Sequence, residues 1–458
     1  MTKYFTYRSL EDLVRDAEER GVSIRAEEGI GPLLQPVKIG RLVAGNRLAV
    51  HPMEGCDGTL DGRPDQLTFK RWEAFGAGGA KIIWGEATAV VPEGRANPRQ
   101  LLLTAETVGS FKKLLEHTRL AHRARFGTAD DLVVGLQLTH SGRWSHTGPL
   151  IAHHHEVIDR VKGGDAGVLD DAYLERLEDR YADAAERAAS IGFDFVDIKQ
   201  CHTYLLNELL SARSRKGRYG GSLEDRMRFV SNVIGMIRAR VGAGLSLATR
   251  INVFDGPPFS SGAKGVGAPS MAGEAGFGVL ETDHVSPDLR EPLSVIRRLH
   301  DLGVAIVNVT MGSPYLNPHI SRPFERQPVD GYAPPEHPLV GVDRHFRLAA
   351  EVQKTLPSLV VVGTGYSWLR HYAAKAGAAN VREGRVSVMG LGRGALAYPD
   401  FAADLMEHGR MIDRKSCIGV SYCTALMRAK NNELGQFPTG CAPRDPYYAR
   451  QYKASQTA

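Results

Sequence analysis

The sequence has few cysteines, no long apolar run and almost no excess charge, and each shortage narrows what the chain can be. Five cysteines in 458 residues is an odd and sparse set, too few for a disulfide framework and consistent with a reducing compartment. No stretch approaches the ~18 consecutive apolar residues of a membrane span, and the first 35 residues carry charge throughout, without the apolar core of a secretory leader. A cytoplasmic protein is therefore expected. The net charge of +5 is spread along the chain, too dilute to point to nucleic acid or a membrane surface. The densest basic run, Arg213 to Arg218, reads as a solvated loop. A small-molecule partner remains, with self-association left open.

What is present is apolar residues, 43% of the chain, enough for one large core. From residue 46 onward short apolar runs alternate with longer segments of helical period. Eight runs read as buried strands: 48–52, 81–87, 132–138, 195–199, 246–250, 305–310, 359–364 and 385–392. Between them, residues 173–192 place Leu174, Leu177, Tyr181, Ala184, Ala185 and Ala188 at spacings of three and four, one buried helical stripe. Another helix opens at Ser222, with Asp225 three residues on as in a capping box, and runs to about Arg240. Alternating strands and helices specify a parallel sheet, and eight pairs favour a closed barrel. The expected fold is α/β, a (β/α)8 TIM barrel over residues 36–410, with an N-terminal extension at 1–35 and a C-terminal tail at 411–458. The Gly-, Pro- and Ser-rich stretch 255–285 interrupts the rhythm, as a lid over the barrel mouth or as a disordered insertion.

Four stretches at strand ends carry chemistry: NRLAVHPMEG (46–55), GEATAV (85–90), LQLTHSGRW (136–144), and the run from Phe193 to Phe229 containing DIKQCHTYLL and YGGSLEDR. With Arg250 and GLGRGALAYPDF (390–401), they resemble the old yellow enzyme family, particularly its branch with 2,4-dienoyl-CoA reductase and trimethylamine dehydrogenase. The resemblance runs from about residue 36 to 410. It implies a non-covalent FMN: Pro52, Met53 and Ala87 along the ring, Gln137 at its pyrimidine edge, and Arg250 beside the position where negative charge develops on reduction. Gly363, Gly365, Gly392 and Arg393 would hold the phosphate. Taken alone, these glycines are also ordinary barrel turns and Arg250 an ordinary structural ion pair.

On the catalytic face the family carries a histidine, then a histidine or asparagine three residues on, then a tyrosine. Here those positions are Lys199, His202 and Tyr204. The resemblance assigns Lys199 and His202 to the substrate's activating oxygen and Tyr204 to proton delivery. Lysine in place of histidine brings a full charge and up to three donors, favouring a carboxylate or a more anionic transition state. Asp197 projects to the same face of its strand, so an Asp197–Lys199 ion pair is an equal alternative. Glu54 stands where trimethylamine dehydrogenase has the cysteine that attaches its flavin; Cys56 reads as a small buried residue. Glu54, His140 and Arg143 are candidate substrate contacts. Cys417, Cys423 and Cys441 in the tail correspond to an iron–sulfur motif with Val420 where a ligand would stand; three thiolates fall short of four, and the tail reads as the relic of a lost cluster. The chain stops where larger relatives continue into nucleotide-binding domains, so NAD(P)H is expected to dock over the same flavin face as substrate, in a ping-pong cycle. Three functions follow from this reading: NAD(P)H-driven reduction of an activated C=C bond, flavin-dependent dehydrogenation or demethylation of an amine or saturated ring, and a barrel that binds a ligand without turnover.

Overall fold

A computed structural model describes residues 4–329 and 331–457. Eight parallel strands close into a barrel: β1 (Leu48–Val50), β2 (Ile82–Ala89), β3 (Val133–Thr139), β4 (Phe195–Ile198), β5 (Ser246–Asn252), β6 (Val304–Thr310), β7 (Val360–Gly363) and β8 (Val388–Leu391). Each strand pairs with its successor in sequence, and β8 returns to β1. The helices α1 (Gln66–Ala77), α2 (Val108–Phe126), α3 (Asp171–Ser190), α4 (Leu223–Val241), α5 (Arg290–Asp301), α6 (Pro338–Thr355), α7 (Ala373–Arg382) and α8 (Phe401–His408) follow the strands in turn. The (β/α)8 barrel expected from the sequence is the fold, with all eight strands within the expected runs or a few residues of them.

Strand alternation sorts the side chains into two cores. Outward residues such as Val134, Leu136, Val196 and Leu247 pack with the helices, including the α3 stripe, in which Leu174, Tyr181, Ala184, Ala185 and Ala188 are all fully buried. Inward residues Ala49, Ile82, Trp84, Val133, Phe195, Ala248, Ile306 and Val388 form a separate apolar plug. Val37, Ile39 and Ala44, from an antiparallel hairpin before β1, join that plug and stopper the end where the strands begin. The barrel interior is thus filled from below, leaving the C-terminal end of the strands for chemistry.

The cap at α4 forms as expected, with Ser222 Oγ accepting from the Asp225 amide at 3.2 Å. Two expectations are corrected. The basic run is not simply solvated: Arg215 is buried on Asp171 at 2.8 Å, and Arg213 pairs with Glu291 at 2.9 Å. The 255–285 stretch is neither structureless nor placed over the main cavity. It forms two small antiparallel hairpins, 259–261 with 267–269 and 279–280 with 283–287, and buried Asp255 anchors it by accepting from Asn252 (2.6 Å) and the Phe277 amide (2.9 Å). Among the described residues no helix is long and apolar enough to cross a membrane.

Candidate active site

A cavity opens at the C-terminal mouth of the barrel, and all eight strands contribute to its wall: β2, β3 and β5 through Ala87, Gln137 and Arg250, each two residues before its strand's end, and the others from their last residues or the loop that follows. Of the residues singled out in the sequence, Pro52, Met53, Glu54, Ala87, Gln137, Lys199, His202, Tyr204, Arg250, Gly365, Gly392 and Arg393 all line it. Gly363 is the last residue of β7 and is not part of the wall, which begins with Thr364.

The loop that carries Pro52, Met53 and Glu54 is fixed from behind by a buried ionic cluster. The Arg71 guanidinium on α1 pairs with Asp57 and, at 2.5 Å, with Glu86 on β2. Glu86 also accepts from the Gly55 amide at 2.9 Å and from Trp72 Nε1 at 3.0 Å. A charge-assisted network of this kind, wholly out of water, holds a loop in one position as long as every member is present.

Beneath the cavity floor lies a polar layer within the barrel. Asp197 is fully buried and accepts from Trp84 Nε1 (2.7 Å), Gln137 Nε2 (2.6 Å) and the Arg250 backbone amide (2.7 Å). With its NH2 group committed to Asp197, the Gln137 amide has its oxygen left as the acceptor. The sequence alternative of an Asp197–Lys199 ion pair is therefore not what the structure shows. His51 and Asn308 meet in the same layer, at 3.3 Å, and Gly390 leaves room for the imidazole: a Cβ there would stand 1.6 Å from His51 Nε2.

The substrate side is built on a strained turn. His202 and Thr203 adopt φ of 66° and 57°, a left-handed conformation that costs energy for residues with a Cβ. Surrounding bonds over-determine it: the Thr203 amide donates to Asn207 Oδ1 at 2.7 Å, and Trp144 Nε1 donates to Thr203 Oγ1 at 2.9 Å. Lys199 Nζ sits 3.5 Å from the centre of the Tyr204 ring. The Tyr204 hydroxyl meets that of Tyr315 at 3.3 Å, and Tyr315 stacks on Trp144 at 4.0 Å. Burial pushes the Tyr204 phenol well above its ordinary range and drives His202 well below, the latter helped by Arg250 and Lys199. Tyr204 is thus a protonated phenol and His202 a neutral imidazole at neutral pH. Burial likewise lowers Lys199 and raises the Glu54 carboxyl to about 7.

The opposite end is suited to an anion. Gly365 takes a φ of 95°, and a Cβ there would press on His345, so glycine is required for the chain to turn. Ser367 Oγ accepts from the Gly394 amide at 3.0 Å, and Arg393 Nη2 donates to the Pro323 carbonyl at 2.6 Å. Arg393 Nη1, Arg250 Nε, His202 Nε2 and Glu54 Oε1 are sealed from solvent with no hydrogen-bond partner among the described residues, although buried polar atoms are normally satisfied. Their spread along one cavity fits a long ligand that is anionic at one end and polar at the other, as FMN is.

His140 and Arg143, expected at this mouth, face elsewhere. His140 Nε2 meets the Tyr173 hydroxyl at 2.9 Å and its Nδ1 accepts from the Gly142 amide. Arg143 is buried on Glu208 (2.5 Å) and Asp159 (2.6 Å) beside a second, smaller cavity under the 255–285 hairpins. The tail was not anticipated as part of the site, yet Cys423, Thr424, Met427, Arg428 and Thr439 all line the cavity. Arg428 lies 4.3 Å over the Tyr315 ring, and the Thr439 amide reaches the Gly55 carbonyl at 2.6 Å. Cys417, Cys423 and Cys441 are free thiols. Cys423 helps to raise the Cys417 thiol, and both help to raise that of Cys441, but among the described residues the three do not converge as one ligand set.

Comparison with known proteins agrees with this geometry. Residues 32–266 match the model of the NADH:flavin oxidoreductase / NADH oxidase family. A NADPH dehydrogenase of Halalkalibacterium halodurans is 32% identical over 221 residues, which cover 47% of this chain and 58% of that protein. The fold of a 2-naphthoyl-CoA reductase in complex with 2-naphthoyl-CoA superposes on 92% of this chain and 58% of that one, with a TM-score of 0.70 and 17% identity. An old yellow enzyme homologue from Zymomonas mobilis superposes on 83% of this chain and 94% of its own, with a TM-score of 0.58 and 20% identity. With the family model matching more than half of its length, the chain belongs to the NADH:flavin oxidoreductase / NADH oxidase family and is a flavin oxidoreductase with FMN as its cofactor.

Proposed function

We propose that the protein reduces an activated carbon–carbon double bond at the expense of NAD(P)H, with Tyr204 as the proton donor. The observation that supports this reading most is the gathering of Lys199, His202 and Tyr204 on one side of the cavity that holds Gln137, Arg250 and Arg393. When bound, FMN would supply the two-electron chemistry, hydride exchange between nicotinamide and acceptor. Arg393, Ser367 and the turn at Gly365 would hold its phosphate, Arg250 and Gln137 its pyrimidine end, and Pro52, Met53 and Ala87 its flank.

The remaining work falls to side chains. His202 offers Nε2 as a neutral donor, and Lys199 offers its ammonium, so an activating oxygen on the acceptor has two groups to hold it where negative charge develops. Tyr204 keeps its proton at neutral pH because burial raises its pKa, and it delivers that proton from its hydroxyl to the carbon left electron-rich. The ring is held by the Lys199 ammonium on its face and Tyr315 at its hydroxyl. Residues of the tail complete the wall of the same cavity.

The test is anaerobic. NADH or NADPH bleaches the visible flavin bands of the purified holoenzyme, and an enone restores them. Tyr204→Phe is expected to retain bleaching by nicotinamide and to lose reoxidation by the enone, by roughly 10²–10⁴-fold for a lost general acid. Equal impairment of both halves removes Tyr204 from the role. Bleaching by an amine without nicotinamide transfers the site to the oxidative direction.

A further inference from the structure

The substrate side of the cavity contains a lysine that forms no ion pair among the described residues. Lys199 is 6% exposed, and among the described residues its ammonium has no carboxylate and no hydrogen-bond acceptor; the ring face of Tyr204 is its one partner. Asp197, on the same inward face of β4, is committed elsewhere: Oδ2 accepts from Trp84 and Gln137, and Oδ1 from the Arg250 amide. Glu54 borders the same cavity without forming an ion pair with Lys199, and burial raises its carboxyl to about 7, so it carries only part of a negative charge at neutral pH. His202 Nε2 is also sealed from solvent and has no hydrogen-bond partner among the described residues. A charge taken out of water without a counter-charge is costly, and a neutral carbonyl ligand would leave that cost in place.

Resting on the reductive reading above, we infer that the acceptor is an anion, an α,β-unsaturated carboxylic acid whose carboxylate lies on Lys199 and His202. The alkene gains hydride at its β-carbon and the Tyr204 proton at its α-carbon. The electron pair is the one NAD(P)H supplies in that reading, and the carboxylate leaves unchanged. Tyr315, stacked on Trp144, offers an aromatic wall beside the bound chain.

The decisive measurement is binding to the oxidised, FMN-loaded protein, followed by the shift in flavin absorbance. The probes are trans-cinnamate and trans-cinnamamide, equal in shape and different in charge. Cinnamate is expected to bind at least tenfold tighter than the amide. Lys199→Met, with FMN content and melting temperature measured alongside, is expected to lose that preference and to bind the acid no tighter than the amide. An amide bound as tightly as the acid overturns the inference using wild-type protein alone, and so does a Lys199→Met variant that retains the preference. If neither probe perturbs the flavin, the anion assignment falls, while bleaching by NAD(P)H and reoxidation by an enone judge the reductive reading separately.

Discussion

Replacing Glu54 with glutamine tests the electrostatics of the cavity without touching its shape. The Glu54 carboxyl is raised from 4.5 to about 7, first by burial and then by Glu86, against the opposing pull of Lys199, Lys430 and Arg71. In the apoprotein its contribution to stability is fully present below pH 4.5, where folded and unfolded chains both hold the proton. Between pH 4.5 and 7 only the folded chain holds it, so stability falls as pH rises. The full span of 2.5 pH units, at 1.36 kcal/mol each, amounts to roughly 3 kcal/mol. Because the side chain borders a cavity that water can enter, about 1–3 kcal/mol is the better expectation. Glutamine is neutral throughout and escapes the loss. Urea unfolding of both apoproteins from pH 5 to 8 should therefore show Glu54→Gln gaining on wild type as pH rises, with most of the gain complete slightly above pH 7. A difference that stays constant across this range, or a wild type that gains on the variant, refutes the reasoning.

Other changes probe the supports beneath the cavity. Arg71→Met leaves the Asp57 and Glu86 carboxylates buried without their cation and should cost about 3–5 kcal/mol in urea unfolding; a loss below ~1 kcal/mol would mean the cluster is not desolvated as described. Asp197→Asn removes a buried negative charge from beneath Arg250 and Gln137. The reduced, anionic flavin is then easier to form, and the midpoint potential should move positive by on the order of 1 kcal/mol, or about 20 mV for a two-electron couple. A negative shift in a redox titration contradicts this. Gly390→Ala drives a methyl group into the His51 imidazole, so the purified protein should carry markedly less FMN while its far-ultraviolet circular dichroism is unchanged; full flavin content would show that His51 moves aside freely.

The barrel was legible because its signals are local and repeated. Each strand is a short apolar run bounded by a helical period, and burial on both faces of a parallel sheet keeps those runs continuous. The cavity wall was legible for a related reason: in this fold the last residues of each strand all point to one mouth, so Pro52, Gln137, Lys199, Arg250 and Gly392 share a place through their position in the βα unit alone. What failed was direction after the strand ends. Gly363 is one residue too early in β7, and a strand reverses its side-chain face at each step. His140 and Arg143 follow β3 just as His202 follows β4, but a short helical turn at Gly142–Trp144 carries Arg143 back towards Glu208 and Asp159. No spacing rule distinguishes those two outcomes, because the partners that decide them are 65 and 16 residues away. The tail illustrates the same limit: its cysteines drew attention as ligands, while its contribution to the cavity wall comes from Thr424, Met427 and Arg428, ordinary residues on one turn of helix. Their place over Tyr315 depends on where the whole tail docks, with Thr439 on Gly55 and Gly419 on Glu325. That docking is a tertiary fact, and it puts part of the cavity wall in the least patterned stretch of the sequence.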